Sequence, residues 1–297
     1  MQPIVIRGLS RNYQIDAAWS QSPLAFLRTA PEMPGPAPFF ERIEVLAADG
    51  HFRSNLPGGP KLWGPLRWLA AQLDAAIFRE EFFAQSSDLI LPGAILCDSA
   101  GRRVGLLGGP KTGKSWLAMA LLSAGWRFEG DARLLVQAEG VRAMPRTIRL
   151  RDPLRALPPA WREIAASAPC LAPSLEDPNA YELRAIDPRL FGRDWRLSLG
   201  PVQAILFLEL NPGGRGALRP LDSTRAFRYA LDMSQGPLTS RSAAALYRIV
   251  ASAATYRLRI GRTFEAVEHV FRALQDARRS EAAKDFAADP TGGLAGD

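Results

Sequence analysis

The sequence predicts an α/β fold, in which apolar strand segments alternate with amphipathic helices around a glycine-rich loop. Two observations carry this prediction. The strand-like run VGLLG leads directly into GGPKTGKS (residues 108–115), and a helical run with one apolar face follows. A second apolar run, VQAILFLEL (residues 202–210), has the composition of a buried strand. At 297 residues the chain is long enough for one or two domains.

Composition narrows the class of protein. The apolar share of 47% and the charged share of 23% are those of an ordinary globular chain. The sequence contains no run of about 18 apolar residues, the length that a membrane span needs, and its first residues lack the apolar stretch of a secretory signal. Two cysteines, Cys97 and Cys170, are too few for a disulfide framework or a zinc site. These features predict a cytoplasmic protein without a membrane partner.

The net charge of +7 does not by itself predict a nucleic-acid partner. Only four of the 37 basic residues are lysines. The arginines are spread along the chain, and no nucleic-acid recognition motif accompanies them. We therefore expect no nucleic-acid partner.

Residues 1–87 are predicted to form a small α+β region. Strand patterns occur in PIVIRG, YQID and ERIEVLAADGHFRSNL, the last with a turn at Asp49-Gly50. The proline-rich PEMPGPAP (residues 31–38) is an extended connector. A helix is predicted over GPLRWLAAQLDAAIFREEFFAQ, with Pro65 in its first turn. Its apolar face comprises Leu66, Leu69, Leu73, Ala76 and Ile77.

Residues 88–279 are predicted to form the second domain, and residues 280–297 a disordered tail. AILCD and RRVGLLGG form a hairpin, KSWLAMALLSA a helix, and WRFEGDARLLV and GVRAMPRTIRL extended segments. A short helix is predicted around PAWREIAAS. STRAFRYALDM and RSAAALYRIVASAATY follow as helices, RLRIG as a strand, and TFEAVEHVFRALQDARR as a last helix capped by Thr263.

The loop at 108–115 has the pattern of a phosphate-binding loop. A polyphosphate needs many donors close together, and a glycine-rich turn followed by a helix N-terminus supplies them. The strand–loop–helix order is the context that this motif requires. The pattern predicts ATP and Mg²⁺ as ligands, with Lys114 on the β- and γ-phosphates and the Ser115 hydroxyl on the metal. The predicted nucleotide-binding residues are Gly108, Gly109, Pro110, Lys111, Thr112, Gly113, Lys114 and Ser115.

Asp131 is predicted to return to the level of this loop. Helix residues 115–124 carry the chain roughly 15 Å away at about 1.5 Å per residue. Strand residues 126–131 then bring it roughly 20 Å back at about 3.3 Å per residue. A carboxylate there could bind Mg²⁺ or accept a proton from an attacking hydroxyl. A solvated aspartate in an EGDA turn is the alternative that spacing leaves open.

The segment from about Leu89 to Val136 resembles the P-loop serine kinases of the HPr kinase/phosphorylase superfamily, in particular its stand-alone HPr-kinase-related members. The resemblance lies in GAILCDSAGRRVGLLGGPKTGKSWLAMALLSAGWRFEGDA, where Gly125 and Asp131 fall at the family's positions without a gap. MPRTIRLRD and TYRLRIGRTFEAVEHVFRAL are similar to later family segments. The resemblance implies a mixed sheet like that of phosphoenolpyruvate carboxykinases. It also implies that Asp131 is the general base and, with Ser115, a metal ligand, so that Asp131 and Lys114 are the catalytic residues.

Two positions depart from the family pattern. Members usually carry a histidine before the first hairpin strand, where this chain has Pro92-Gly93, and its histidines, His51 and His269, lie elsewhere. The second aspartate of the family's DD pair is Ala132 here. The implied activity is transfer of the ATP γ-phosphate to a hydroxyl, that of a serine, on a small protein or peptide. A nucleotide-binding sensor without catalysis and a P-loop nucleotide hydrolase remain the alternatives, and the oligomeric state, including a homo-oligomer, stays open.

Four further residues are weaker candidates. Glu209 ends the strand ILFLEL and could act as a metal-binding acid, although a glutamate at a hairpin edge explains it as well. Arg146, Arg149 and Arg151 could hold phosphate or substrate. In a chain this rich in arginine, a solvated strand face is the default interpretation of these three.

Overall fold

The computed structural model describes most of the chain between residues 4 and 273, with gaps. The ranges are 4–7, 12–17, 24–27, 40–48, 51–55, 61–84, 89–151, 157–171, 183–211, 214–261 and 266–273. The predicted proline-rich connector, the turn at Asp49-Gly50, the Thr263 cap and the tail at 280–297 lie outside these ranges. Every helix in the described part is too short or too polar to cross a membrane.

The described part is a mixed α/β structure with four sheets. The strands are β1 (Ile4–Arg7), β2 (Asn12–Ala17), β3 (Phe40–Ala48), β4 (His51–Asn55), β5 (Lys61–Gly64), β6 (Leu89–Leu91), β7 (Gly93–Cys97), β8 (Arg103–Leu107), β9 (Arg127–Gly130), β10 (Leu134–Gln137), β11 (Gly140–Ala143), β12 (Ile148–Leu150), β13 (Cys170–Leu171), β14 (Leu183–Ile186), β15 (Leu199–Gly200), β16 (Ala204–Leu210), β17 (Ala217–Pro220) and β18 (Ala254–Ile260). The helices are α1 (Leu66–Ala84), α2 (Lys114–Ser123), α3 (Pro159–Ser167), α4 (Ser223–Met233), α5 (Ser240–Ser252) and α6 (266–273).

The N-terminal part of the chain forms a five-stranded sheet in the order β1-β2-β3-β4-β5. Only β2 and β3 pair in parallel, so the sheet is mixed. Helix α1 packs on it through the apolar face that the spacing predicted, and its members at 69, 73, 76 and 77 are buried in one cluster with the sheet. That cluster also includes Ala185 of β14, so α1 contacts the following part of the chain as well.

A six-stranded mixed sheet in the order β17-β18-β16-β8-β7-β9 is the centre of the second part. Strands β8, β16 and β18 run parallel to one another, while β7 is antiparallel to both β8 and β9. Because β8 and β9 are both antiparallel to β7, their carboxyl ends lie at the same edge of the sheet. Helices α2, α3 and α6 cover one face of this sheet, and α4 and α5 cover the other.

Two smaller antiparallel sheets complete the described part. One has the order β15-β11-β10-β6, and the other has the order β12-β14-β13. The first shares an apolar cluster with α4 and α5, whereas β12 and β14 contribute Ile148, Leu150 and Ile186 to the cluster around α2. The chain therefore crosses between sheets several times near α2.

Two predicted elements have different limits in the structure. WRFEGDARLLV is not one strand, because β9 and β10 belong to different sheets and the chain turns between them at residues 131–133. The ATY that the sequence pattern placed in a helix belongs to β18, which pairs with β16 from Ala254 onward. The parallel pairing with a buried strand, together with Thr255 and Tyr256, favours the extended conformation there.

Candidate functional site

The glycine-rich loop connects the central strand β8 to α2. Gly113 of this loop is the N-cap of α2 and has φ +90°. This left-handed conformation suits glycine, and a Cβ there would lie 3.0 Å from the Cδ1 of Ile260. Because glycine carries no side chain, the cap offers no side-chain acceptor to the first N–H groups of α2. These N–H groups are therefore suited to bind an anion.

Lys114 folds back over this loop. Its Nζ donates to the main-chain carbonyls of Gly108 and Gly109, each at 2.6 Å. The Thr112 hydroxyl donates to the Gly109 carbonyl at 2.9 Å. Burial lowers the pKa of Lys114, and the nearby Asp131 carboxylate partly opposes this shift. The ammonium group thus lies within the loop, where phosphate oxygens could replace the carbonyl acceptors.

Beside the loop, the chain passes from one sheet to another at two neighbouring places. One crossing is Pro92, between β6 and β7, and the other is residues 131–133, between β9 and β10. The Gly93 N–H donates to the Ala132 carbonyl at 3.3 Å, and the Gly108 N–H donates to the Pro92 carbonyl at 3.1 Å. These two hydrogen bonds connect the start of the loop to the turn that carries Asp131.

Asp131 is buried, with 4% of its surface exposed. Its Oδ2 accepts a hydrogen bond from the Arg149 main-chain N–H at 3.3 Å. The preceding Gly130 permits this turn to pack closely, since a Cβ at Gly130 would lie 1.8 Å from the Met144 carbonyl oxygen. The solvated turn aspartate that spacing left open is therefore not what the structure contains.

Ser115 contacts the same residue as Asp131. Its Oγ donates to the Arg149 carbonyl oxygen at 3.0 Å. Since the hydroxyl proton is used in this bond, the lone pairs of Oγ are left to act as acceptors or as metal ligands. The N–H of Arg149 thus binds Asp131, and the carbonyl of the same residue binds Ser115.

Two non-glycine residues in the described part have positive φ, and both belong to the segments that meet here. Lys111 in the loop has φ 61°, and Ala132 after Asp131 has φ 74°. This conformation costs a non-glycine residue about 1–2 kcal/mol. Backbone strain of this kind is concentrated at functional sites.

The arginines of the MPRTIRLRD segment do not form the solvated strand face expected by default. Arg146 and Arg149 both donate to the carboxylate of Asp74 on α1, one to each oxygen. The guanidinium of Arg146 also lies 4.5 Å from the ring centroid of Phe78. Burial lowers the pKa of Arg149 to about 9, although the Asp74 carboxylate opposes this shift. Arg151 alone of the three is exposed.

Of the remaining residues, Glu209 and His51 have other partners. Glu209 pairs with Arg257 at 2.5 Å and Arg259 at 3.5 Å on the neighbouring strand β18. His51 stacks on Trp63 in the N-terminal sheet, at 5.3 Å between ring centroids. His269 lies half-buried on α6. The contacts of Glu209 and His51 thus involve strands β18 and β5, not the glycine-rich loop.

The donor set around the loop fits Mg²⁺ in company with a nucleotide. The described residues include no group of three or more His, Cys, Asp and Glu side chains placed to hold a metal. Ser115 and Asp131 offer one hydroxyl and one carboxylate. Mg²⁺ is commonly held by one or two carboxylates, with phosphates and water completing its coordination. An all-protein metal cage is therefore not what these residues would build.

The sequence interpretation missed Asp74. The residue is 4% exposed, on the same helix face as Ala70 and Phe78. A carboxylate between apolar residues of a buried helix face must find a cationic partner, because an unpaired buried charge is costly. That position was the available signal, but it does not reveal which arginines would be the partners.

Comparisons with known proteins leave the family of this chain undetermined. No protein-family model matches it, and no curated protein matches its sequence. Among the solved structures, 43 chains match, including the Hpr(Ser) kinase/phosphatase from Coxiella burnetii. That match covers 68% of this chain and 98% of the other, with 11% sequence identity and a TM-score of 0.35. A likeness at this level does not establish a common activity.

Proposed function

We propose that the chain transfers the γ-phosphoryl group of ATP to a hydroxyl, most simply a serine of a small protein or peptide. One observation carries the proposal: Ser115 and Asp131, from two separate segments, bind the main chain of the same residue, Arg149, beside the glycine-rich loop. A loop hydroxyl and a carboxylate held together are what metal-assisted phosphoryl transfer requires.

The loop and Lys114 would hold the phosphates. The first N–H groups of α2 face the ligand, and the Lys114 ammonium exchanges its carbonyl acceptors for phosphate oxygens. Ser115 and Asp131 would hold Mg²⁺. When bound, this ion neutralises negative charge on the phosphate oxygens.

Asp131 would also accept the proton of the acceptor hydroxyl. The acceptor oxygen forms a bond to the γ-phosphorus as the bond from that phosphorus to the β,γ-bridging oxygen breaks, and the electron pair leaves with ADP. The hydroxyl proton passes to the Asp131 carboxylate, one oxygen of which accepts the Arg149 N–H. That hydrogen bond fixes the carboxylate in the absence of the histidine that the resemblance would place at Pro92.

The test is incubation with γ-labelled ATP, Mg²⁺ and the small proteins encoded beside this chain. We expect label on one of them, and we expect Asp131→Asn to reduce transfer about 10²–10⁴-fold while ATP affinity stays within a few-fold. Mg-ATP binding without transfer to any acceptor would favour the sensor. Steady hydrolysis that Asp131→Asn leaves unchanged would favour the hydrolase.

A further inference from the structure

A chain of contacts leads from α1 to the candidate site. The Asp74 carboxylate binds the guanidinium groups of Arg146 and Arg149. The main-chain N–H and carbonyl of Arg149 in turn bind Asp131 and Ser115. One residue, Arg149, therefore joins α1 through its side chain and the site through its backbone.

The burial of these groups makes the connection rigid. The side chains of Asp74 and Arg149 are 5% and 8% exposed, so neither can exchange its partner for water easily. On the opposite side of β12, Ile148 and Leu150 are fully buried against the cluster around α2. Residue 149 is thus fixed from both sides of its strand, and its N–H and carbonyl have defined positions.

The charged groups around Arg149 also link Asp74 to Asp131. In the described part of the chain, the guanidinium groups of Arg146 and Arg149 bind Asp74, and the Asp131 carboxylate lies near Lys114 and Arg149. The Arg149 guanidinium binds the Asp74 carboxylate, whereas the main-chain N–H of the same residue binds Asp131. Loss of the Asp74 carboxylate removes a bond that holds the Arg149 side chain, next to the carboxylate of Asp131.

We propose that Asp74 is a positioning residue for the metal-binding pair Ser115 and Asp131, acting through Arg149. This inference rests on the proposed function, because it takes these two residues as the Mg²⁺ ligands. Helix α1 belongs to the predicted N-terminal region at 1–87. That region would then contribute to the site through Asp74 on α1.

The experiment measures how strongly Mg²⁺ tightens nucleotide binding. ATP is titrated calorimetrically into the full-length protein in EDTA and in MgCl₂, and the ratio of the two Kd values is the Mg²⁺ factor. Removing a residue that orients metal ligands typically costs 10–100-fold in metal affinity. We expect Asp74→Asn to reduce the Mg²⁺ factor about tenfold and to leave the Kd in EDTA within about twofold, because the loop amides and Lys114 are not affected.

Two control variants separate positioning from general destabilisation. Asp98 is also a buried aspartate paired with an arginine, but it lies in the hairpin turn between β7 and β8, at the end of β8 opposite the loop. Arg146→Gln removes the other partner of Asp74 and leaves the contact to Arg149. We expect both Asp98→Asn and Arg146→Gln to lower Tm but to keep the Mg²⁺ factor within about twofold of the wild type.

Each remaining outcome is decisive. An unchanged Mg²⁺ factor in Asp74→Asn, or an equal loss in Arg146→Gln, overturns the positioning role. If Asp74→Asn does not fold, the variant Asp74→Glu is measured instead. Its displaced carboxylate should lower the Mg²⁺ factor a few-fold, and an unchanged Mg²⁺ factor overturns the proposal. A wild type that binds no nucleotide refutes the proposed function as well. A wild type with Mg²⁺-tightened binding but no transfer refutes only the kinase activity.

Discussion

Lys114→Ala is the most direct perturbation of the glycine-rich loop. In the free protein the ammonium group donates to two carbonyls of its own loop, at 2.6 Å each. Bound phosphates would replace these neutral acceptors with charged ones. The variant removes this gain on binding, while the N–H groups at the start of α2 stay in place.

The magnitude follows from the exchange of acceptors. A hydrogen bond to a charged group contributes about 1.5–3 kcal/mol. At about 1.4 kcal/mol per tenfold change, Mg-ATP affinity should fall about 10- to 100-fold. In the wild type, Lys114 must first break its hydrogen bonds to the two loop carbonyls. We therefore expect a loss of affinity near tenfold, the lower limit of this range.

The assay is calorimetric titration of Mg-ATP into the wild type, Lys114→Ala and Lys61→Ala. Lys61 is exposed on β5 of the N-terminal sheet and serves as the matched lysine control. Thermal unfolding of each variant checks that the loop itself is intact. Unchanged affinity in a folded Lys114→Ala protein would refute the assignment of this loop as a phosphate site.

Three further predictions concern pH and stability. Burial lowers the pKa of Lys114 from its ordinary 10.5. The affinity for Mg-ATP should therefore fall as the pH rises toward 10.5, because the ammonium group loses its proton. Kd measured over the same pH range should show no such fall in Lys114→Ala. Ala132→Gly should raise the free energy of unfolding, measured in urea titrations, by about 0.5–1 kcal/mol. The strain of an alanine at φ 74° is larger than the entropic cost of ordering a glycine there. A lower free energy of unfolding would contradict this strain. Glu129→Gln should lower the free energy of unfolding by about 3 kcal/mol, since it leaves the buried Arg103 guanidinium without its carboxylate, whereas Glu209→Gln at a half-exposed pair should cost less than about 1 kcal/mol. Equal losses in the two glutamine variants would refute the difference in burial.

The order of helices and strands could largely be predicted from the sequence. The apolar period of α1, the hairpin of β7 and β8, and the buried strand β16 are local patterns, and each appears in the structure where the pattern predicted it. Local patterns do not show which sheet a strand joins. The break between β9 and β10 therefore escaped prediction, because both halves have strand composition and only their pairing differs.

The candidate site likewise has a part that could be predicted from the sequence and a part that could not. The position of the loop between β8 and α2 could be predicted, because its glycines and Lys114 are specified by residue type and spacing, while its binding of phosphate stays a prediction. The ion pairs of Asp74 with Arg146 and Arg149 could not, because their partners are more than 70 residues apart in the sequence. A chain with 33 arginines offers too many alternatives for the pairing to be read from composition.

The contacts of Asp131 show why a sequence pattern alone can misjudge a site of this kind. A side chain that orients a carboxylate is visible in a sequence, because it requires a particular residue type at a fixed position. The Arg149 N–H that binds Asp131 is a main-chain group, which every residue except proline supplies. What matters at position 149 is where β12 lies, and that depends on Ile148 and Leu150 in the core and on the bond from the Arg149 side chain to Asp74. A sequence without an orienting side chain near Asp131 therefore does not by itself imply that this carboxylate lacks orientation.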